Sequence, residues 1–130
     1  MNIPTDLRYT KNDEWVRVEG KLGTVGITDY AQDQLSDIVF AEVILNVGAP
    51  ANKGAVLGTV ESVKAASDVY LPVSGTVTAV NDLLSETPEA INTDPYGQAW
   101  LLVLELSNPA ELDGLMDAAA YSTYLASREH

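Results

Sequence analysis

The chain has 130 residues, enough for one hydrophobic core and too few for two. Apolar residues make up 46%, and no apolar run approaches the roughly 18 residues of a membrane span. Nineteen acidic against seven basic residues give a net charge of −12, which speaks against nucleic acid and anionic membranes as partners. No cysteine is present, so disulfides, thiolate catalysis and thiolate metal sites are excluded.

The first residues, Met1-Asn2-Ile3-Pro4-Thr5-Asp6, have neither the basic-then-apolar layout of a secretory signal nor the Arg- and Ser-rich character of a transit peptide. A cytoplasmic protein is expected. Residues 14–18 alternate polar and apolar, Glu19-Gly20 signals a turn, and residues 22–27 supply the return strand. Thr28 or Asp29 can cap a short helix in which Ala31 and Leu35 lie four apart. Residues 38–45 are strongly apolar and predict a buried strand.

After Gly48-Ala49-Pro50, one strand is predicted over residues 56–63, running up to Lys64, and another over 67–71, running away from it. Pro72-Val73-Ser74-Gly75 turns the chain into a strand over 76–80. Gly23-Thr24-Val25 recurs as Gly58-Thr59-Val60, 35 residues on, as two halves of a quasi-symmetric flattened barrel would. Residues 87–97 carry two prolines and a glycine and predict a long loop with at most one helical turn. Residues 99–106 predict a fully apolar strand, buried on both faces or against helices. Asn108-Pro109 begins a helical segment with an acidic first turn, and Asp117 begins a last helix whose Tyr121, Tyr124 and Leu125 share one face. The expected fold is mainly β, a flattened barrel or sandwich of two sheets, with a short helix in the N-terminal half and helices at the C-terminus.

Little here could perform catalysis. The one histidine is the terminal His130, no Ser-His or Cys-His set can be assembled, and no metal-ligand cluster or phosphate-cradling glycine loop is visible. The lysines are more informative. Only four exist, Lys11, Lys21, Lys53 and Lys64. On residue type alone each is a solvated surface charge, and Lys53, in Asn52-Lys53-Gly54, is a turn lysine. Lys64 differs: it stands between two β-prone runs, its followers Ala65, Ala66 and Ser67 are small, and Gly75 lies eleven residues on. At a hairpin tip its stem would project a covalently attached group beyond the domain, with the tether raising that group's effective concentration at each docked partner. Gly75 would give backbone freedom or close approach where the chain folds back under the tip, or serve as a routine turn glycine.

Glu61-Ser62-Val63-Lys64-Ala65-Ala66-Ser67-Asp68, followed by Pro72-Val73-Ser74-Gly75, resembles the attachment site of lipoyl carriers, and of the glycine cleavage system H protein family in particular. The resemblance spans nearly the whole chain, through Arg8-Tyr9-Thr10-Lys11-Asn12-Asp13-Glu14-Trp15-Val16, the segment from Gly26-Ile27-Thr28-Asp29-Tyr30 to Ser36-Asp37, Asn92-Thr93-Asp94-Pro95-Tyr96-Gly97 and Trp100-Leu101. Departures are Asp13 where the family usually has His, Gln34 where many members carry another His, and Val103 in a region that commonly holds a lysine.

The resemblance implies a single lipoyl-domain-like unit over residues 1–130, a barrel-sandwich hybrid, with lipoate on Lys64. It implies a non-catalytic, monomeric carrier that passes the aminomethyl group of glycine between enzymes. Its partners would be a pyridoxal-phosphate-dependent glycine decarboxylase (P-protein), a tetrahydrofolate-dependent aminomethyltransferase (T-protein), a dihydrolipoamide dehydrogenase (L-protein) and lipoate-attaching enzymes. In the family the loaded arm folds back into a cleft, and a cationic aminomethyl group there requires carboxylates. By motif match Glu14 and Asp68 are candidates, with Asn12 as a hydrogen-bonding neighbour; all three could equally be solvated surface residues. An H-protein-like lipoyl relay, or a lipoyl or biotinyl domain of another complex, remains open. Biotin sites usually have methionines where Val63 and Ala65 stand, and oxo-acid lipoyl domains usually show Asp-Lys-Ala and lack a helical extension.

Overall fold

The computed structural model describes residues 1–128; His130 therefore lies outside the described residues. The alternation at the N-terminus produces β1 (Arg8–Tyr9), β2 (Glu14–Glu19) and β3 (Leu22–Ile27), an antiparallel meander in which Val16 faces Val25. The helix α1 (Asp29–Leu35) follows, capped by Thr28, whose Oγ1 accepts from the Ala31 N–H at 3.2 Å. Then come β4 (Ile38–Val43), β5 (Pro50–Ala51), β6 (Val56–Ser62), β7 (Ala66–Tyr70) and β8 (Gly75–Val80). Two short helices, α2 (Leu83–Glu86) and α3 (Ala90–Thr93), lead to β9 (Leu102–Leu106). A 3-10 turn (Pro109–Gly114) and α4 (Ala118–Arg128) complete the described chain.

The strands form two antiparallel sheets, one of six in the order β1-β2-β3-β9-β8-β5 and one of three in the order β4-β6-β7. The arrangement is a sandwich, and among the described residues the sheets do not close into a barrel. The two Gly-Thr-Val repeats fall on interior strands, β3 of the larger sheet and β6 of the smaller; with sheets of unequal size, the repeat marks no matching halves.

A main core of Val25, Leu57, Val77, Leu102 and Leu104 fills the interior. A second cluster, rich in aromatics, gathers Tyr9, Trp15, Tyr30, Tyr96 and Tyr121 under α4. Asn92 ties α3 to the junction of α1 and β4: its Oδ1 accepts from the Ile38 N–H at 2.8 Å, and its Nδ2 donates to Gln32 Oε1 and to the Ser36 carbonyl, both at 2.8 Å.

Three expectations require correction. The apolar run 38–45 is not a buried strand: β4 ends at Val43, and Val39 and Phe40 are exposed because a bulge between Ile38 and Phe40 turns both outward. The run 99–106 is regular strand only from Leu102, and Glu105 is exposed, so one face is buried rather than two. The helix expected after Pro109 is a 3-10 turn, and Asn108 makes no capping hydrogen bond with its side chain.

Candidate functional site

β6 and β7 pair from Val56–Tyr70 to Glu61–Ala66, and Lys64 stands in the turn between them, exposed. One hydroxyl shapes this turn. Ser62 Oγ accepts from the backbone N–H of Lys64 at 3.2 Å and of Ala65 at 3.0 Å, while the Ser62 N–H donates to the Ala65 carbonyl at 2.7 Å. The amides on either side of the Lys64 Cα are thereby held by a nearly buried side chain. The Val63 N–H donates to the Asp37 carbonyl at 3.1 Å, which ties the tip to the start of β4. The other three lysines also lie in turns and are exposed, so exposure alone does not single out Lys64; the braced tip does.

A cleft of ≈ 260 Å³ opens between this hairpin and α1. Ile27, Ala31, Leu35, Val60 and Val69 give it an apolar wall, and Asn12, Glu14 and Asp68 border it together. A larger hollow of ≈ 490 Å³ shares Asn12 and Glu14 with it and adds Tyr70, Lys11 and Lys53, but takes no residue from 56–69. The smaller cleft is therefore the one bordered by the strands that lead to Lys64.

Glu14, the first residue of β2, is only 2% exposed. Its carboxylate accepts from the Thr10 hydroxyl at 2.6 Å and from the Tyr70 N–H at 3.3 Å. β7 is an edge strand, and the carboxylate stands where the next strand would supply a carbonyl. Burial pushes the Glu14 pKa above its ordinary value, outweighing those two hydrogen bonds, which pull it down. Asn12 lies in the adjoining turn, its N–H donating to Thr10 Oγ1 at 3.1 Å. Asp68 is exposed, and its Oδ1 accepts from Thr59, its cross-strand partner, at 3.3 Å. Of the three carboxylates that line the cleft, Asp13 is paired with Arg128 and Asp68 is exposed, which leaves Glu14 as the most deeply buried.

Gly75 opens β8, one residue past the Pro72-Val73-Ser74 turn, paired with Ala51 and Leu106 in the larger sheet. A Cβ there would lie 2.3 Å from the Glu105 carbonyl oxygen, so the position is a close approach of two strands; its φ is not positive.

Sequence reasoning missed the group that holds the Asn12 turn. Asp13 adopts a φ of 68°, a conformation uncommon outside glycine and tolerated best by Asn and Asp. Its Oδ1 accepts from the Tyr121 hydroxyl at 2.9 Å and pairs with Arg128 Nη1 at 2.6 Å. Since Tyr121 donates to Asp13, the 2.8 Å contact between Thr28 Oγ1 and Tyr121 is donated by Thr28. Burial raises the Tyr121 phenol well above its ordinary value, which keeps it a donor. Its ring stacks on Tyr9 with centroids 4.6 Å apart, and the Arg128 guanidinium lies between the rings of Tyr30 and Tyr124 at 4.8 and 5.0 Å. Only the apolar spacing of Tyr121, Tyr124 and Leu125 hinted at this clamp.

A two-sheet β fold that offers one lysine on a braced hairpin, beside an apolar cleft with a buried carboxylate, has the layout of a swinging-arm carrier. Among known proteins the likeness is specific: residues 7–128 match the Glycine cleavage H-protein family, and the chain belongs to that family. It is 57% identical over 123 residues to the glycine cleavage system H protein of Symbiobacterium thermophilum, covering 95% of each chain. To that of Acidobacterium capsulatum it is 55% identical over 125 residues, 96% of this chain and 95% of the other. The crystal structure of the Mycobacterium marinum H protein superposes with a TM-score of 0.83 at 34% identity, covering 98% of this chain and 100% of that one.

Proposed function

We propose that this chain is the carrier of a glycine cleavage system, bearing lipoate in amide linkage on Lys64. The observation that carries this reading is the exposed Lys64 on a tip braced by Ser62, next to a cleft of matching chemistry. When attached, lipoate would supply a cyclic disulfide whose S–S bond opens as one sulfur takes the aminomethyl group of glycine, leaving a dithiol once that group has been passed on. The chain's part is to present and shelter that arm. The Ile27, Val60 and Val69 wall suits its apolar portion, and Glu14 suits the cationic amine at its end, with Asn12 and Asp68 as neighbours. An arriving ammonium would favour ionisation of Glu14, offsetting the burial that otherwise disfavours it. Gly75 takes no part in holding the arm and serves the sheet beneath it.

The chain acts as a single unit and a monomer in the cytoplasm, and leaves catalysis to its partners. These are the glycine decarboxylase, the aminomethyltransferase, the dihydrolipoamide dehydrogenase and the enzymes that attach lipoate. No helix among the described residues is long and apolar enough to cross a membrane. Lys64→Arg keeps the charge but removes the acylatable amine. The variant should fold as the wild type does, accept no lipoate by intact mass, and fail to support reconstituted glycine oxidation. Peptide mapping that placed lipoate on Lys11, Lys21 or Lys53 would overturn the assignment.

A further inference from the structure

The bulge in β4 leaves apolar side chains in water beside the lysine tip. Val39 is 54% exposed, Phe40 43% and Val63, immediately before Lys64, 68%. Phe40 is the cross-strand partner of Glu61, three residues before Lys64, and Val63 is bonded to the residue that precedes Ile38. The surrounding charges have one sign. In segments 37–43 and 59–66 the exposed acidic residues are Asp37, Glu42 and Glu61, and the only cation is Lys64. An apolar centre containing an aromatic anchor, ringed by charge, has the anatomy of a protein-binding surface.

We infer that Val39, Phe40 and Val63, ringed by Asp37, Glu42 and Glu61, form the docking face for the enzyme that acylates Lys64, and that this partner offers an apolar contact within a basic rim. The inference rests on the attachment of lipoate proposed above. Geometry selects this occupant. Enzymes that act on the finished arm need meet only its far end, which the tether can carry off the hairpin. The attaching enzyme must bring an activated acyl group within bonding distance of Nζ itself, so it has to lie against the residues that flank the tip. The neutral lysine amine attacks the carbonyl carbon of an acyl-adenylate. The C–N bond forms, the C–O bond to the adenylate phosphate breaks, AMP departs, and the surplus ammonium proton passes to a base of the partner. Opposite charge on the two surfaces steers the encounter and weakens in salt.

The test uses unmodified full-length protein with an ATP-dependent lipoate-attaching enzyme, lipoate and ATP. Val39→Asp and Phe40→Asp should each lower kcat/KM for acylation by about tenfold, mainly through KM. Val47→Asp should stay near wild type, because Val47 is as exposed, at 63%, but lies in the loop after β4. The wild-type KM should rise severalfold between low salt and about 0.5 M. Phe40→Ser keeps the test decisive if the aspartate variants lose their fold by circular dichroism. Variants acylated as fast as wild type would overturn the docking face alone. Variants acylated normally but, once lipoylated, poorly served by the glycine decarboxylase would assign the face to that enzyme and likewise overturn the inference. A wild type that accepts no lipoate would overturn the attachment reading and this inference together.

Discussion

The two ends of the cleft are held by different means. At the hairpin, one serine hydroxyl and two backbone hydrogen bonds, Ser62 to Ala65 and Val63 to Asp37, fix the backbone, and the side chains from Val63 to Asp68 are exposed. At the other end, the turn carrying Asn12 is clamped by the Asp13–Tyr121–Arg128 group, with a buried aromatic stack behind it. On the proposed function the tip must offer Lys64 to other proteins, which leaves little of it to be buried. The turn at Asn12 must keep a buried carboxylate in place, and that takes packing. Damage at the tip should therefore cost modification more than folding, and damage at the clamp the reverse.

Tyr121→Ala attacks the clamp hardest. It removes a fully buried ring, its stack on Tyr9 and its hydrogen bonds to Asp13 and Thr28, and should cost about 3–5 kcal/mol in urea denaturation. Lys64 should still accept lipoate under conditions where this variant stays folded. Full stability in the variant would mean that α4 does not hold the turn.

Glu14→Gln separates sheltering from stability. Losing one charge-assisted hydrogen bond to the loaded arm, worth roughly 1.5–3 kcal/mol where shielded, should speed ammonia and formaldehyde release from isolated aminomethylated protein at least tenfold. Unchanged release would remove Glu14 from this role. Stability should respond in the opposite sense. A carboxyl whose folded pKa lies above its unfolded value binds its proton more tightly when folded. Its contribution is full below the ordinary value of 4.5 and is lost as pH rises through the raised value. The Gln variant should therefore show a flatter stability profile across that window, read by thermal melts between pH 4 and 8.

Ser62→Ala is the mildest of the three. The Lys64 and Ala65 amides lose their acceptor but remain near solvent, so the cost should be about 1 kcal/mol. Lipoate attachment should slow, because the lysine loses its fixed bearing, while the rate of arm release should not change. An equal effect on both rates would erase the distinction between tip and clamp.

How far the sequence foretold this layout follows the distance over which each feature is determined. The β2–β3 hairpin, the Thr28 cap and the Lys64 tip were legible because alternation, capping and turn chemistry act within a few residues. The bulge at Ile38/Phe40 was not, since a register shift depends on the partner strand and leaves no periodic trace. Residues 99–101 are apolar enough to read as strand, yet regular pairing begins only at Leu102. At the site, Asn12, Glu14 and Asp68 were picked out by motif, but nothing local distinguished the buried Glu14 from the exposed Asp68. The Asp13 clamp joins residues more than a hundred positions apart, beyond the reach of any sequence window.

The bulge and the buried carboxylate also bear on self-association. A three-stranded sheet has two edges, β4 and β7, and each offers unpaired backbone groups to an incoming strand. On β7 the Tyr70 N–H, at the end of the strand, is already taken by Glu14. On β4 the irregular spacing at Val39 breaks the even ladder that a second copy would need, and it does so where the exposed apolar residues would otherwise invite one. The apolar surface around the tip thus lies beside two sheet edges that are each blunted against strand addition.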